Sequence, residues 1–171
     1  VDDAGPRVRG TPTPCDGWSV DDLLGHLRDG AWWVVGRLDG ASPEEGTDVA
    51  ASLRAAGAAL VDGFGRESVL DGTVRLPVGE VPGMIALHLR ATEAIVHAWD
   101  LAVATGVPVP IDDAEVDVAL AFSEAALAMI PPAESPFAPS VEAPDDAPAL
   151  ARLVALLGRD PAWSAAPTAA A

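Results

Sequence analysis

Apolar residues recur at helical spacing in five separate stretches of the chain, and glycine- or proline-containing segments lie between them. Spacings of three and four residues place apolar side chains on one face of an α-helix, whereas a half-buried strand would alternate. The best-defined stretch follows Ser19, which forms a capping-box-like pattern with Asp22 three residues later. We therefore predict an all-α fold built from amphipathic helices that pack on one another.

The same spacing sets approximate helix boundaries. It predicts helices over about 20–38, from an Asp48 cap to 64, from about 82 to 105, from an Asp112 cap to 130, and over about 147–158. Gly106 is expected to stop the third helix, and Pro131 and Pro132 the fourth. Residues 68–83 instead alternate around glycine and proline, which predicts a short hairpin or an extended crossover before the third helix.

The chain is expected to form one domain, because no internal repeat or long linker divides it. Residues 1–17 are rich in proline, glycine and charge and predict an extended lead-in. Residues 18–130 form the predicted bundle, and residues 131–163 a proline-rich connection with a short final helix. The alanine- and proline-rich residues 164–171 predict a disordered tail.

Charge and cysteine content exclude several classes of protein. The formal net charge is −16, which repels nucleic-acid phosphates and anionic membrane surfaces, so neither is expected as a partner. The single cysteine, Cys15, excludes an internal disulfide framework and a cysteine-cluster metal site. No apolar run approaches the roughly 20 residues of a membrane span, and no signal-peptide pattern is present. We expect a soluble, cytoplasmic protein.

Glu93 and His97 lie four residues apart on the predicted third helix. Four residues advance about 400° around a helix, so both side chains project from one face. That face also carries Leu89, Asp100 and Ala104 and should point into the bundle, where an unpaired carboxylate is costly. A divalent cation would satisfy both groups, since imidazole and carboxylate are common ligands of zinc and related metals.

A third ligand must come from elsewhere, and the chain has only three histidines. His88 precedes His97 by nine residues, about 900° of rotation, and falls on the opposite side of the helix. His26, on the first predicted helix, is then the candidate for a site between two facing helices. Spacing alone leaves two other interpretations open: a surface Glu–His pair, and core histidines bonded to the backbone.

Four segments resemble one bacterial family, at residues 11–27, 74–83, 92–106 and 145–163. Their most specific strings are "TPCDGWSVDDLLGHL" and "HAWDLAVATG". They are similar to the DinB-like metal-binding helical bundles, close to the N-terminal domain of mycothiol-dependent maleylpyruvate isomerase. The resemblance implies an up-and-down four-helix bundle with a short insertion before the metal-binding helix. It also implies a divalent metal, zinc first and nickel second, held by His26, Glu93 and His97.

The resemblance further implies a mycothiol-type thiol as cosubstrate. The metal would activate its thiolate in an S-transferase or maleylpyruvate-isomerase-like enzyme acting on a small electrophile. The alternatives are a non-catalytic metal-binding protein and a structural helical bundle. Family members normally begin with a helix before the "TPCDGW" motif, which residues 1–10 are too short and broken to supply. Either the start of the chain is incomplete or another element covers that groove, and a homodimer is the expected cover.

Two residues near the predicted ligands have further candidate roles. Asp100 could accept the second imidazole N–H of a ligand and fix its tautomer, or it could form a helix-to-helix hydrogen bond. Cys15 could be a thiol ligand, although a small buried residue at a turn is the preferred interpretation.

Large and charged side chains near the predicted site are interpreted more simply. Trp18 and Trp99 could wall a pocket but are expected to serve in packing. Arg28 and Arg90 are the candidate partners for an anionic substrate, yet both are expected to be solvated surface charges.

Overall fold

The computed structural model describes residues 6–43, 48–108, 110–130, 135 and 137–165. The chain is mainly helical and carries one small two-stranded sheet. The elements are α1 (Pro6–Arg9), α2 (Val20–Leu38), α3 (Val49–Phe64), α4 (Glu67–Leu70), β1 (Thr73–Leu76), β2 (Gly79–Pro82), α5 (Gly83–Thr105), α6 (Asp113–Leu127) and α7 (Ala149–Leu156). No helix in this described part of the chain has both the length and the apolar character needed to cross a lipid bilayer.

The predicted start of α2 is confirmed by its capping geometry. The Ser19 side chain accepts the backbone N–H of Asp22 at 3.2 Å, and the Asp22 carboxylate accepts the backbone N–H of Ser19 at 2.9 Å. This reciprocal pair satisfies backbone donors that the first turn of a helix leaves without partners. The pair fixes where α2 begins and therefore the position of His26 two turns further on.

Replacing Ser19 with alanine should lower the free energy of unfolding by about 1 kcal/mol, because the cap is lost while a buried core remains. Chemical denaturation of the two proteins measures the difference. Ser68→Ala, at an exposed position in α4, is the matched control and should change stability by less than about 0.5 kcal/mol. Equal stability of Ser19→Ala and the parent would contradict the importance of this cap.

The predicted insertion before α5 is an antiparallel hairpin. Thr73 pairs with Pro82 and Leu76 with Gly79, which places a tight turn between β1 and β2. Residues 68–70 differ from the prediction, because they belong to the short helix α4 rather than to extended chain. Four residues are too few to show an apolar period, so local sequence cannot distinguish such a turn of helix from a loop.

The third predicted helix, α5, is found over Gly83–Thr105. Pro82 occupies the N-cap position rather than the first helical turn. Gly106 closes the helix in the left-handed conformation, at φ 71°, and its N–H donates to the carbonyl of Ala102. A residue with a side chain rarely adopts this conformation, so the predicted glycine stop is confirmed with its physical reason.

The C-terminal half departs from prediction at helix ends. Asp112 caps α6 as predicted, but the helix ends at Leu127, three residues before the predicted limit. Pro131 and Pro132 lie outside the described residues, as do residues 166–171 of the predicted tail. The final helix, α7, is shorter than predicted and ends at Leu156.

The lead-in is not wholly extended, because α1 is helical. After α1 the chain forms a tight turn in which the N–H of Thr13 donates to the carbonyl of Trp18 and the N–H of Trp18 to that of Cys15. Pro12 and Ser19 form an isolated antiparallel bridge across this turn. The turn holds Cys15 beside the bundle, which sequence periodicity did not reveal.

Helix α5 lies centrally, packing against α2, α6 and the hairpin, while α2 also packs on α3 and α6 on α7. One apolar cluster joins α5, α6 and α7, and includes Val96, Leu120 and Leu153. A second joins α2, α3, β1 and α5. The buried face of α5 also carries the polar residues His97 and Asp100.

Candidate metal centre

Helices α2 and α5 bring His26, Glu93 and His97 together. One potential ligand atom from each residue lies within 4.8 Å of those of the other two. His26 Nε2 and Glu93 Oε1 are 3.3 Å apart. The predicted convergence of two distant segments is therefore present in the structure, with Glu93 and His97 one turn apart on α5 as their spacing requires.

The solvent exposure of the three side chains decreases from His26 to His97. The side chain of His26 is 40% exposed, that of Glu93 27% and that of His97 11%. The rings of His26 and His97 meet edge to face with centroids 5.3 Å apart, and Trp18 packs against His26 in the same way at 4.8 Å. A small molecule could therefore reach the cluster from the His26 side.

Arg90 is a correction to the sequence prediction. It is not a solvated surface charge, because its side chain is 12% exposed and its Nη1 donates to Glu93 Oε2. The i,i+3 spacing of Arg90 and Glu93 on α5 allowed this pair. Arg28 pairs with its neighbour Asp29 at 2.7 Å and is partly exposed, which agrees with its interpretation as a surface charge.

Asp100 lies directly behind His97. Its Oδ2 is 2.9 Å from His97 Nδ1, and the residue is completely buried. Burial by itself would raise the pKa of Asp100, but the hydrogen bond from His97 and the charge of Arg159 outweigh it and hold the pKa below its usual value. The ionised carboxylate can only accept, so Nδ1 of His97 carries the proton and Nε2 is left as its acceptor or ligand nitrogen.

Cys15 belongs to the same group of residues. Its Sγ donates to Asp100 Oδ2 at 3.3 Å and lies 3.9 Å from His97 Nδ1. Burial, with the charge of Asp100 second, raises the pKa of the Cys15 thiol to about 11 despite the opposing effect of Arg159. Cys15, His97 and Asp100 thus form a second potential ligand set that shares His97 with the first.

Arg159 is the residue that the sequence analysis missed. It follows α7, and its Nη2 lies 3.3 Å from Asp100 Oδ2 and 3.7 Å from Cys15 Sγ. The side chain is 15% exposed, and its Nη1 also donates to the carbonyl of Leu157. No local pattern marks this contact, because an arginine after a short helix is usually solvated.

The other aromatic residues considered in the sequence analysis are not among the potential ligands. His88 stacks on Phe122 with ring centroids 4.9 Å apart, on the side of α5 opposite to His97, as the rotation argument predicts. Trp99 is partly buried on α5. Trp18 differs from the packing interpretation, because it is exposed at the mouth of the cluster.

Comparison with known proteins identifies the family. The family described as mycothiol maleylpyruvate isomerase N-terminal domain matches residues 1–102. Two relatives in Mycobacterium tuberculosis, Uncharacterized protein MT0763 of strain CDC 1551 and Uncharacterized protein Rv0738 of strain H37Rv, are each 34% identical over 158 residues. Each alignment covers 88% of this chain and 84% of the relative. No solved structure matches the chain significantly. The chain therefore belongs to the mycothiol maleylpyruvate isomerase N-terminal domain family.

Proposed function

We propose that this protein binds a divalent metal through His26, Glu93 and His97 and uses it to transfer a mycothiol-type thiol to a small electrophile. The observation that carries the proposal is the convergence of three ligand atoms, from two helices, within 4.8 Å of one another. Family membership supports the thiol, because the description of the family names mycothiol.

The donor set fits a catalytic metal site. Two imidazole nitrogens and one carboxylate oxygen are typical of zinc sites that keep a fourth position open. Tetrahedral ligands bound at about 2.0–2.1 Å lie roughly 3.3 Å from one another, and His26 Nε2 and Glu93 Oε1 are 3.3 Å apart. Zinc is the first candidate and nickel the second, since both accept imidazole and carboxylate ligands.

Residues behind the ligands would orient them. Asp100 accepts the Nδ1–H of His97, which leaves Nε2 as the nitrogen that would bind a metal. Histidine ligands in metal sites commonly donate their second N–H to a carboxylate in this way. This arrangement favours the orienting role of Asp100 over the alternative of a simple hydrogen bond between helices.

The nucleophile is proposed to be a separate thiol molecule rather than Cys15. The raised pKa of Cys15, about 11, keeps its thiol protonated near neutral pH, and a protonated thiol is a poor nucleophile. A bound metal with an open position would favour the thiolate of a cosubstrate. In the transfer, the thiolate sulfur forms a bond to an electrophilic carbon, and the leaving group departs with its electron pair.

The charges around the cluster favour a neutral electrophile over a dianion. Arg90 is paired with Glu93, and Arg159 with Asp100, so each guanidinium beside the cluster already has a carboxylate partner. A substrate such as maleylpyruvate would have to compete for these cations. An S-transferase is therefore preferred to an isomerase.

A surface groove of about 510 Å³ lies near the cluster, although His26, Glu93 and His97 are not among its lining residues. Trp18 and Trp163 are among its lining residues, together with Thr13 and the carboxylates of Asp16 and Asp22. Trp18 also packs against His26, so this side chain is common to the groove and the edge of the cluster. Aromatic and polar lining of this kind suits a small organic ligand.

Activity provides the first test of catalysis. Thiol-dependent consumption of a chloro-dinitro-aromatic by the zinc-loaded protein should fall by at least about 100-fold in Glu93→Ala. Loss of a residue that supports a metal ligand usually lowers activity about 10- to 100-fold, and loss of the ligand itself should lower it further. Product formation with mycothiol, followed by absorbance, measures this rate. Glu67→Ala, in the short helix α4, is the matched control and should leave the rate unchanged.

A non-catalytic role is the alternative, and one observation favours its structural form. Both carboxylate oxygens of Glu93 already have partners, because Oε2 pairs with Arg90 and Oε1 with His26. The polar groups of the cluster can therefore be satisfied without a metal. Stoichiometric metal without turnover across several thiols and electrophiles would identify a metal-binding protein. A protein that takes up neither zinc nor nickel would identify a structural polar cluster.

The proposal includes a specific type of helical bundle. A DinB-like, up-and-down four-helix bundle is supported by the packing of α2 with α3 and α5, and of α5 with α6. A cytoplasmic location and a homodimer are also proposed. Cytoplasmic thiols would supply the cosubstrate, and light scattering would test the dimer.

A further inference from the structure

The two potential ligand sets share His97, so a metal bound by one set competes with a metal bound by the other. The first consists of His26, Glu93 and His97, and the second of Cys15, His97 and Asp100. The second set offers a sulfur, which zinc and cobalt readily accept as thiolate. Asp100 also retains unused capacity, because its buried Oδ1 has no hydrogen-bond partner. The second set is therefore chemically competent to compete with the first for a metal.

Arg159 already supplies a positive charge to the second set. Its Nη2 contacts both Asp100 Oδ2 and Cys15 Sγ, at 3.3 and 3.7 Å. A divalent ion bound by these two atoms would lie within a few ångströms of the guanidinium, with little solvent to screen the repulsion. In the first set Arg90 also lies beside a ligand, but it contacts Glu93 through Oε2 and leaves Oε1 facing His26. Arg159 differs because it contacts two of the candidate ligand atoms of the second set directly.

We propose that Arg159 determines which ligand set holds the metal: its guanidinium blocks the site formed by Cys15, His97 and Asp100 and so confines the metal to His26, Glu93 and His97. This inference rests on the proposed metal site but goes beyond it. It assigns a selecting role to a residue that follows α7, beyond residues 1–102 that match the family. Without Arg159, the metal would bind Cys15 as thiolate, and the thiol proton would pass to solvent.

Cobalt provides a direct readout, because Co²⁺ replaces zinc in such sites and thiolate ligation produces a charge-transfer band that nitrogen and oxygen ligands lack. The wild-type protein loaded with Co²⁺ should show no thiolate band. Arg159→Leu should gain a band corresponding to one thiolate per cobalt. The double variant Arg159→Leu with Cys15→Ser should lose this band again, which assigns it to Cys15.

Arg159→Lys is the conservative control. Only Nη2 of Arg159 contacts both Asp100 and Cys15, so a single ammonium could replace its charge, and this variant should resemble the wild type. Cys15→Ser in an otherwise wild-type protein should leave the cobalt spectrum and affinity unchanged. Neither of these measurements requires Arg159→Leu to fold.

The outcomes separate this inference from the proposed function. A wild-type protein that binds no Co²⁺ would overturn both. Wild-type binding with a thiolate band that Cys15→Ser removes would overturn the role of Arg159, and so would folded Arg159→Leu with a spectrum identical to the wild type. In the last case the site of His26, Glu93 and His97 would stand.

Discussion

Replacing His97 with alanine should abolish metal binding. The residue offers a potential ligand atom, and Asp100 accepts a hydrogen bond from its Nδ1. Loss of a residue that merely supports a metal ligand typically lowers affinity 10- to 100-fold. We therefore expect a loss of more than about 100-fold when the ligand itself is removed. Competition with a chromophoric chelator measures the affinity, and elemental analysis measures the metal bound per chain.

His88→Ala is the matched control for this experiment. His88 lies on the same helix but stacks on Phe122, away from the cluster, so its removal should leave the metal affinity unchanged. Circular dichroism must accompany both variants, since His97 is largely buried and its loss also leaves a cavity. A folded His97→Ala protein with parental affinity would exclude His97 as a ligand.

Replacing Gly83 with alanine should destabilise the protein strongly. Gly83 is the first residue of α5 and is buried against α4. A Cβ atom there would overlap the carbonyl oxygen of Val69 and lie 2.9 Å from the Cα of Leu70. Both neighbours are backbone atoms, so no side chain can rotate away. We expect a loss of about 3 kcal/mol in the free energy of unfolding, at the upper end of overpacking effects.

Gly57→Ala, in α3, should have the opposite effect on the free energy of unfolding. Gly57 is exposed, and a Cβ there would meet no atom within 4 Å. Alanine has the higher helix propensity, so this variant should gain up to about 1 kcal/mol. Urea denaturation of both variants gives the comparison. If Gly83→Ala were as stable as Gly57→Ala, the close approach of α4 to the start of α5 would be wrong.

Helix boundaries were largely predictable because they depend on short-range interactions. Ser19, Asp48 and Asp112 cap the helices that follow them, as predicted, because each side chain accepts backbone N–H groups only two or three residues ahead. Gly106 ends α5 for an equally local reason. The turn of helix in α4 and the early end of α6 lacked such signals and were not predicted.

The pairing of Glu93 and His97 was also determined locally, since helical geometry alone places them on one face. The inclusion of His26 needed one tertiary assumption, namely that α2 faces α5. Elimination of His88 and the resemblance to a known family both selected His26, and the structure places it beside Glu93.

The surroundings of this trio were decided by tertiary structure. Arg159 reaches Asp100 across 59 positions of sequence, and Cys15 reaches it across 85. Arg90 was expected in solvent, but packing buries it against Glu93. A sequence pattern records which face of a helix is apolar, because that preference repeats every turn. The pattern does not indicate which distant side chain contacts a polar group on that face, because this contact depends on how the helices pack against one another.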